Sequence, residues 1–139
     1  MREDSTTIVL DSDYSLSCWI DKTWRYENAP VGKQWWLLCN NIPVAHLKTL
    51  GYSTDSNGEC RLMLCDVEVR ESYRGQGLTR TLISAVEKIE GQPMWTSGGF
   101  TPLGAQALSW MRVCPWDTPG VKYKDMAFVQ DWDTMSAIN

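Results

Sequence analysis

The residues best suited to chemistry form a short turn, Arg74-Gly75-Gln76-Gly77-Leu78. Its two glycines allow the backbone to approach a ligand closely. The N–H groups that open a following helix form an anion site, which the helix dipole strengthens. Arg74 adds a positive charge. The turn, together with Thr79 after it, is therefore predicted to hold a pyrophosphate group.

Two common phosphate-binding motifs do not fit this turn. A P-loop requires a lysine after its last glycine, and a dinucleotide fingerprint requires a third glycine where the chain has Arg80. One alternative remains, in which Gly75 and Gly77 serve only the geometry of a strand-to-helix turn. The turn taken alone does not decide between the two interpretations.

Two carboxylates, Asp66 and Glu68, precede the turn in a strand that we expect over Arg61–Val69. Side chains alternate along a strand, so both acids are predicted to share a face with Leu62 and Leu64. The opposite face would then carry Met63, Cys65, Val67 and Val69. Acids beside leucines are a local conflict of the kind that marks functional sites.

Local patterns predict the elements of the first half of the chain. β-Branched and apolar residues favour a strand over Thr6–Leu10. Residues 11–33 have no clear pattern and are compatible with a short helix or an ordered loop. Asn40-Asn41 suits a tight turn between two strands, Gln34–Cys39 and Pro43–Leu50.

The second half is predicted to combine helices and strands. Apolar residues at helical spacing favour a helix over Leu78–Glu90 that Gly91 ends, with a buried stripe of Leu78, Leu82, Ala85, Val86 and Ile89. The other predicted elements are a loop over Gly51–Gly58, a strand over Pro93–Ser97, a helix over Pro102–Arg112 and a strand over Tyr123–Trp132. This order indicates an α/β or α+β fold with a mixed sheet, in one domain over residues 1–139.

Composition excludes several classes of function. The net charge of -4 argues against nucleic acid as the main ligand and is compatible with a cationic substrate such as an amine. No apolar run approaches the roughly 18 residues of a membrane span, and no signal segment is visible, so we expect a cytoplasmic protein. The five cysteines are expected to be reduced, and with His46 as the single histidine we expect no metal site.

The eight tryptophans are an unusual number for a chain of this size. They are expected to fill the core, since each buries a large apolar area, and the alternative for some of them is to line a pocket or an interface. Trp35 and Trp36 must face opposite sides of their strand. One is expected in the core, and the other in the core, an acceptor site or the contact of a homodimer.

The stretch Val67–Leu78 resembles the signature of the GNAT superfamily of N-acetyltransferases. That signature is an apolar-x-Val strand end, a few linking residues, and Tyr-Arg-Gly-x-Gly-Ile/Leu opening a helix, which here is Tyr73–Leu78. The resemblance covers roughly residues 34 to 112. Three positions depart from the family pattern. Thr79 stands where the family usually has Gly or Ala, and Glu71 stands where it often has Pro. Leu108 stands where the family commonly has a tyrosine that donates a proton to the leaving thiolate.

The resemblance implies a GNAT-like fold that binds acetyl-CoA, with the pyrophosphate on the glycine turn and the pantetheine arm along the backbone of Val67 and Val69. A substrate amine, in a small molecule or a protein, would attack the thioester directly. Asp66 is the first candidate for the base that accepts its proton and Glu68 the second; an ion pair with lysine or arginine is the structural alternative for Asp66. Tyr123 is the candidate replacement acid.

Two other classes of function remain open. A non-catalytic module of the same fold, which binds CoA or another protein, would explain the leucine at position 108 and the short N-terminal region. An unrelated α+β adaptor, in which the glycines only shape a turn, predicts no CoA binding. Acetyl-CoA with a panel of amines would separate these classes by the release of free thiol.

Overall fold

The computed structural model describes residues 5–21, 32–54, 60–96, 110–113 and 132–133. These residues form one seven-stranded mixed sheet and one α-helix, which makes the fold α+β. The elements are β1 Thr6–Val9, β2 Tyr14–Asp21, β3 Gly32–Cys39, β4 Ile42–Thr54, β5 Cys60–Val69, α1 Leu78–Glu90, β6 Met94–Thr96 and β7 Arg112–Val113. The strands lie side by side in chain order.

The sheet changes direction at α1. Strands β1 to β5 form an antiparallel meander, whereas β5, β6 and β7 run parallel to one another. The β3–β4 hairpin turns at Asn40 and Asn41, whose φ angles of 48° and 66° lie in the left-handed region that asparagine tolerates. The predicted mixed sheet and the predicted hairpin are therefore confirmed, as are the strands before and after α1.

Two strands, β2 and the short β7, were not predicted. β2 occupies part of the segment 11–33, for which we expected a short helix or an ordered loop, and it pairs along its whole length with β3. Its serines and aspartates resemble a loop, but Leu16 and Trp19 are buried on its two faces. The Asp11 carboxylate closes the β1–β2 hairpin by accepting hydrogen bonds from the N–H groups of Asp13 and Tyr14.

Three other predictions need correction or fall outside the described residues. Residues 51–54 continue β4 instead of forming a loop, because they pair with the start of β5. The helix predicted over Pro102–Arg112 lies outside the described residues except at its end, where a turn leads into β7. The strand predicted over Tyr123–Trp132 also lies outside them except for Trp132, which belongs to a turn.

Helix α1 packs one face against the sheet. Its buried side chains are Leu78, Leu82, Ile83 and Val86. Ile83 is therefore buried although it was not in the predicted stripe, and Ile89, which was in the stripe, is 40% exposed. Gly91 ends the helix in the left-handed conformation with φ 71°, as predicted. An ion pair of 2.7 Å between Lys33 Nζ and Glu90 Oε1 attaches the end of the helix to β3.

A β-bulge in β5 determines which side chains face α1. Thr49 of β4 pairs with Leu64, but its neighbour Lys48 pairs with Asp66, so that Cys65 is an extra residue on β5. The bulge shifts the alternation of side chains by one position. Leu62 and Leu64 belong to the core against α1, and Val67 and Val69 pack against that same core.

The alternation that we predicted for β5 is therefore wrong beyond Cys65. Asp66 and Glu68 do not share a face with the leucines, because the extra residue turns them to the opposite side of the sheet. The conflict between acids and leucines disappears. The sheet instead has an apolar face covered by α1 and a second face, here called the acid face, that carries both carboxylates.

The two adjacent tryptophans lie on different faces, as predicted. Trp35 belongs to the core against α1, where its Nε1 donates a 3.1 Å hydrogen bond to Thr49 Oγ1. Trp36 lies on the acid face, stacked on Trp19 at a centroid distance of 6.3 Å. Both Trp35 and Trp36 are fully buried.

Within the described parts of the chain, no helix has the length and apolarity that a membrane span requires.

The buried bond between Trp35 and Thr49 gives a test of the core. We expect Thr49→Val to lower the free energy of unfolding by about 1–3 kcal/mol, because it leaves the Trp35 N–H buried without an acceptor. Thr49→Ser keeps the hydroxyl and should lose less than Thr49→Val. Urea titrations of the three proteins measure the difference, and equal stability of Thr49→Val and the unmutated chain would contradict this account of the core.

Candidate functional site

The glycine turn is built as the sequence predicts. After β5 the chain makes one turn of 3-10 helix, Glu71–Tyr73, and then passes through Gly75 and Gly77 into α1. The φ angles of the two glycines, 83° and 73°, lie in the left-handed region that other residues rarely adopt. Gly77 is the N-cap of α1, and no side chain caps the free N–H groups of its first turn.

The space above the two glycines is open. A Cβ atom added at Gly75 or Gly77 would have no neighbour within 4 Å. Neither glycine is therefore required by close packing against the protein. Their φ angles alone explain why glycine stands there, and the open space leaves room for a group that approaches the backbone.

Beside this turn, one edge of β5 has no partner strand among the described residues. Its parallel partner β6 pairs only with Leu62 and Met63, whereas β4 follows β5 to its last residue. The N–H of Arg70 donates to Val44 O of β4 at 2.8 Å. Backbone groups alternate in direction along a strand, so those of Val69 and, two residues earlier, Val67 point to the opposite edge.

This edge and the turn are continuous. The edge of β5 runs from Val67 to Val69 and then leads directly to the glycine turn and the start of α1. Within the described chain, no strand pairs with β5 on that side beyond Met63. An extended ligand could bind the strand edge with one part and the helix N-terminus with another.

Arg74 connects the strand edge to the turn. Its Nε donates a 2.9 Å hydrogen bond to Val69 O, which fixes the guanidinium at the end of β5. No carboxylate of the described residues forms an ion pair with it. Two other arginines near the turn are engaged: Arg70 bonds Asp133 and Arg80 lies over the Trp110 ring. Of these three arginines, Arg74 is thus the most available to an anion.

The remaining predicted residues of the turn have different surroundings. Gln76 is exposed, whereas Leu78 is buried in the core and offers only its backbone N–H to a ligand. Thr79 is half-buried in the first turn of α1. The structure therefore brings together Val67, Val69, Arg74, Gly75, Gln76, Gly77, Leu78 and Thr79 along one path of backbone groups.

Two cross-strand rows form the acid face. In the first row Ser17 pairs with Trp36, Trp36 with His46, and His46 with Glu68. In the second, Trp19 pairs with Gln34, Gln34 with Lys48, and Lys48 with Asp66. Directly opposed residues point to the same side of a sheet. Contacts between the rows agree: His46 Nε2 and Gln34 Oε1 lie 3.1 Å apart, in hydrogen-bond distance.

Burial changes the acidity of Asp66. Loss of solvent raises the pKa of its carboxyl to about 6, against a smaller lowering effect of Lys48. Asp66 is a partly buried acid, as a general base would be, and it lies beside a lysine, as a structural ion pair would require. Both interpretations of this residue thus have support. At neutral pH the group is ionised and its pKa is close enough to 7 for it to accept a proton.

The aromatic contacts on the acid face centre on Trp36. The His46 ring lies 4.3 Å from it, and Trp132 meets it edge-on at 5.8 Å. Trp132 also lines an open pocket of about 450 Å³, together with Arg70, Glu71 and Ser72. The pocket lies where β5 ends, and Trp132 both lines it and contacts the buried Trp36 ring.

Other nucleophiles and metal ligands have little support. Burial raises the pKa of the Cys65 thiol, with Asp66 adding to the effect, so this thiol is not a thiolate at neutral pH. Burial also raises the pKa of Cys18 to about 11. The described residues contain no group of three metal-binding side chains. Tyr123, the predicted acid, lies outside the described residues.

Sequence reasoning missed most of the acid face. Lys48, Gln34 and Ser17 were not considered, although their positions on the strands were largely predicted. Only the register across four strands brings them beside Asp66 and Glu68. A signal existed in the tryptophan pair, because Trp36 had to lie on the face opposite Trp35.

Comparison with protein-family models, curated proteins and solved structures finds no match to this chain.

The raised pKa of Asp66 predicts how stability changes with pH. Because the pKa in the folded state, about 6, lies above the carboxyl's ordinary value of 3.8, the protonated form favours folding. The contribution is complete below about pH 4 and is lost as the pH rises through about 6. Asp66→Asn should therefore raise the free energy of unfolding at neutral pH by up to about 3 kcal/mol, and by less in acid.

Urea titrations of both proteins between acidic and neutral pH test this expectation. Glu68→Gln, on the same face one row away, is the matched control. A stability difference between Asp66→Asn and the unmutated chain that stays constant with pH would show that burial does not perturb Asp66.

Proposed function

We propose that this chain is an acetyl-CoA-dependent N-acetyltransferase that transfers an acetyl group to an amine. The observation that carries the proposal is the continuous path of backbone groups from the open edge of β5 into the glycine turn. A GNAT-like fold uses such a path for its cosubstrate, and the Val67–Leu78 stretch resembles that family's signature.

The described residues fit acetyl-CoA in three respects. The uncapped N–H groups of α1 and the guanidinium of Arg74 suit a pyrophosphate. The open space over Gly75 and Gly77 allows close approach of that group. The outward backbone groups of Val67 and Val69 suit the amides of a pantetheine arm, which could pair as a further strand would.

The chemistry is a direct transfer. Acetyl-CoA supplies an activated acetyl group as a thioester. The neutral amine nitrogen bonds to the acetyl carbonyl carbon, the carbon–sulfur bond breaks with its electron pair on sulfur, and the thiolate takes up a proton. The neutral amine loses one N–H proton as the amide forms, and this proton balances the one that the thiolate takes up. A substrate that arrives as an ammonium ion must first lose a further proton, and a base is needed to accept it.

Asp66 is our first candidate for that base and Glu68 the second. Both lie on β5 next to its open edge, and the raised pKa of Asp66, about 6, suits proton acceptance near neutral pH. The two described cross-strand rows also favour a cation, because their two carboxylates, Asp66 and Glu68, outnumber Lys48. Tyr123 remains the candidate acid from the sequence alone.

A non-catalytic module that binds CoA or another protein is the second candidate. The leucine at position 108, where the related family commonly has a tyrosine, favours it. A module that binds CoA would bind acetyl-CoA but release no thiol with any amine, so it differs from the first candidate only in turnover. A module that binds another protein differs from the first candidate in acetyl-CoA binding as well.

The glycine turn gives a test of cosubstrate binding. We expect acetyl-CoA to raise the Tm of the unmutated protein, because only the folded turn offers the convergent N–H groups. Gly77→Ala should need at least about tenfold more acetyl-CoA to give the same rise in Tm, since its Cβ would occupy the space of the pyrophosphate.

Gly91→Ala is the matched control for backbone strain. Gly91 ends the same helix with φ 71°, and a Cβ added there also meets nothing within 4 Å. Both variants should lose similar stability, about 1 kcal/mol, but only Gly77→Ala should lose binding. A flat titration of the unmutated chain, or equal affinity in both variants, would remove the support for acetyl-CoA at this turn.

The base assignment has its own test. Asp66→Asn should leave acetyl-CoA affinity intact and lower the acyl-transfer rate by about 10²- to 10⁴-fold. In the unmutated protein kcat/KM should rise as Asp66 ionises through about pH 6, and this limb should be absent from the variant. The measurement is thiol release from acetyl-CoA across pH.

Glu68→Gln decides between the two carboxylates. If Glu68→Gln loses the rate and Asp66→Asn keeps it across pH, Glu68 is the base. If both variants keep the full rate, neither carboxylate takes the proton and positioning alone accounts for the catalysis.

A further inference from the structure

Lys48 places an amine beside the candidate base, and the proposed function gives it no role. It lies on β4 directly opposite Asp66 of β5, so both side chains point to the acid face. Both residues are half-buried. The chain itself thus carries an amine one strand away from the carboxylate that would accept a proton.

The charge of Lys48 acts on two consecutive residues of β5. Burial raises the pKa of both the Asp66 carboxyl and the Cys65 thiol, and the Lys48 ammonium partly opposes both effects. Coulomb interactions weaken with distance, so the ammonium lies close to both residues. Its level along β5 is therefore that of the bulge.

The open edge of β5 begins just before this level. β6 pairs with Leu62 and Met63, and within the described chain no strand pairs with β5 on that side from Leu64 onward. Cys65 and Asp66 are the next two residues along the edge. A group bound near the start of the open edge therefore lies level with the Lys48 amine.

The length of the proposed cosubstrate would bring its thioester to the same level. Arg74 bonds Val69 O at 2.9 Å, so the glycine turn lies next to the end of β5. The pantetheine arm is about as long as four residues of extended chain, roughly 13 Å. An arm that runs back along the edge from Val69 ends four residues earlier, at Cys65.

A lysine side chain can span the distance that remains. Neighbouring strands are about 4.8 Å apart, so a ligand on the open edge of β5 is about 10 Å from β4. An extended lysine places its Nζ about 6 Å from its Cα. The remaining gap is about 4 Å, close to the roughly 3–3.5 Å between the reacting atoms of a productive complex.

We propose that the chain acetylates its own Lys48 from bound acetyl-CoA, with Asp66 accepting the proton that the ammonium loses. The inference rests on the proposed acetyl-CoA site and adds a modification site within the same chain. Cys65 lies at the same level, but burial keeps it a thiol at neutral pH, which makes it a poor nucleophile.

The reaction balances within the site. The Lys48 ammonium gives one proton to Asp66, and the neutral Nζ bonds to the acetyl carbonyl carbon. The carbon–sulfur bond breaks with its electron pair on sulfur, and the thiolate takes up the proton that the nitrogen loses as the amide forms. The product is uncharged, so the two described rows keep both carboxylates and lose their lysine cation.

Mass spectrometry of the intact chain after incubation with acetyl-CoA tests the proposal. We expect one acetyl group per chain, which peptide mapping places on Lys48. With saturating acetyl-CoA its rate per chain should not change with protein concentration, because the reaction lies within one molecule. Lys48→Arg keeps the charge and should lose this acetyl group. Lys88→Arg is the matched control, since it removes an exposed lysine of α1 and should leave the rate at Lys48 unchanged.

Two further variants distinguish catalysis in the site from reaction in solution. Asp66→Asn should slow the acetylation of Lys48 by at least about tenfold, because it removes the base. Reaction in solution should instead become faster in this variant, since a neighbouring carboxylate stabilises the ammonium form. Gly77→Ala should need about tenfold more acetyl-CoA for the same rate.

The outcomes separate this inference from the proposed function. If added amines are acetylated while Lys48 stays unmodified, the inference fails and the proposed function stands. If Lys48 is acetylated and no added amine is, the inference stands and the transfer to other amines fails. If acetyl-CoA does not raise the Tm of the unmutated chain, both fail.

Two other results would overturn the inference alone. If hydroxylamine at neutral pH removes the acetyl group, that group is a thioester on a cysteine and not an amide on Lys48. If Lys88 is acetylated as fast as Lys48, exposure of the lysines decides the rate and the site does not.

Discussion

The extra residue at Cys65 is the constraint on which the rest of the arrangement depends. Without it, regular alternation would turn Asp66 and Glu68 into the core under α1 and turn Val67 and Val69 out of it. Two buried carboxylates in an apolar core would cost several kcal/mol, enough to unfold a domain of this size. With the bulge, the leucines before it and the valines after it all pack toward α1, and the helix has one continuous surface to cover.

Because of the bulge, the two faces of the sheet differ in chemistry. The face under α1 is apolar, and its single buried indole N–H is satisfied by Thr49. The acid face combines two half-buried carboxylates and a half-buried lysine with a buried histidine and two fully buried groups, the Ser17 hydroxyl and the Trp36 indole N–H, that have no hydrogen-bond partner among the described residues. Because α1 is fixed by the first face and by the ion pair of Lys33 with Glu90, the glycine turn at its start is held in place without any side chain from the acid face.

Local signals sufficed for much of this fold. The hairpin at Asn40, the helix from Leu78 to Glu90 and the turn with Gly75 and Gly77 each follow from residues next to one another in the chain, and the structure has all of them. β2 was missed because its serines favour a loop locally, while its pairing with β3 is decided by distant partners. The bulge at Cys65 was missed for the same reason, since only the register with β4 reveals it.

The candidate site divides along the same line. The segment proposed to bind the cosubstrate, Val67 to Thr79, is contiguous, so the sequence could indicate it. The side chains of the acid face come from four strands, and no segment of the chain carries their pattern. Ser17 and Glu68 lie far apart in the sequence but in one row of the sheet.

The position of Glu68 in that row explains how a ligand on the edge of β5 and a ligand on the acid face could react with each other. Glu68 and Val69 are consecutive residues of β5, so a carboxylate on the acid face and a backbone group on the open edge lie within one residue of each other. A ligand along the edge and a ligand on the acid face would therefore meet at β5. A direct transfer between two substrates requires this proximity, because holding both reactants in contact removes much of the entropy cost of their encounter.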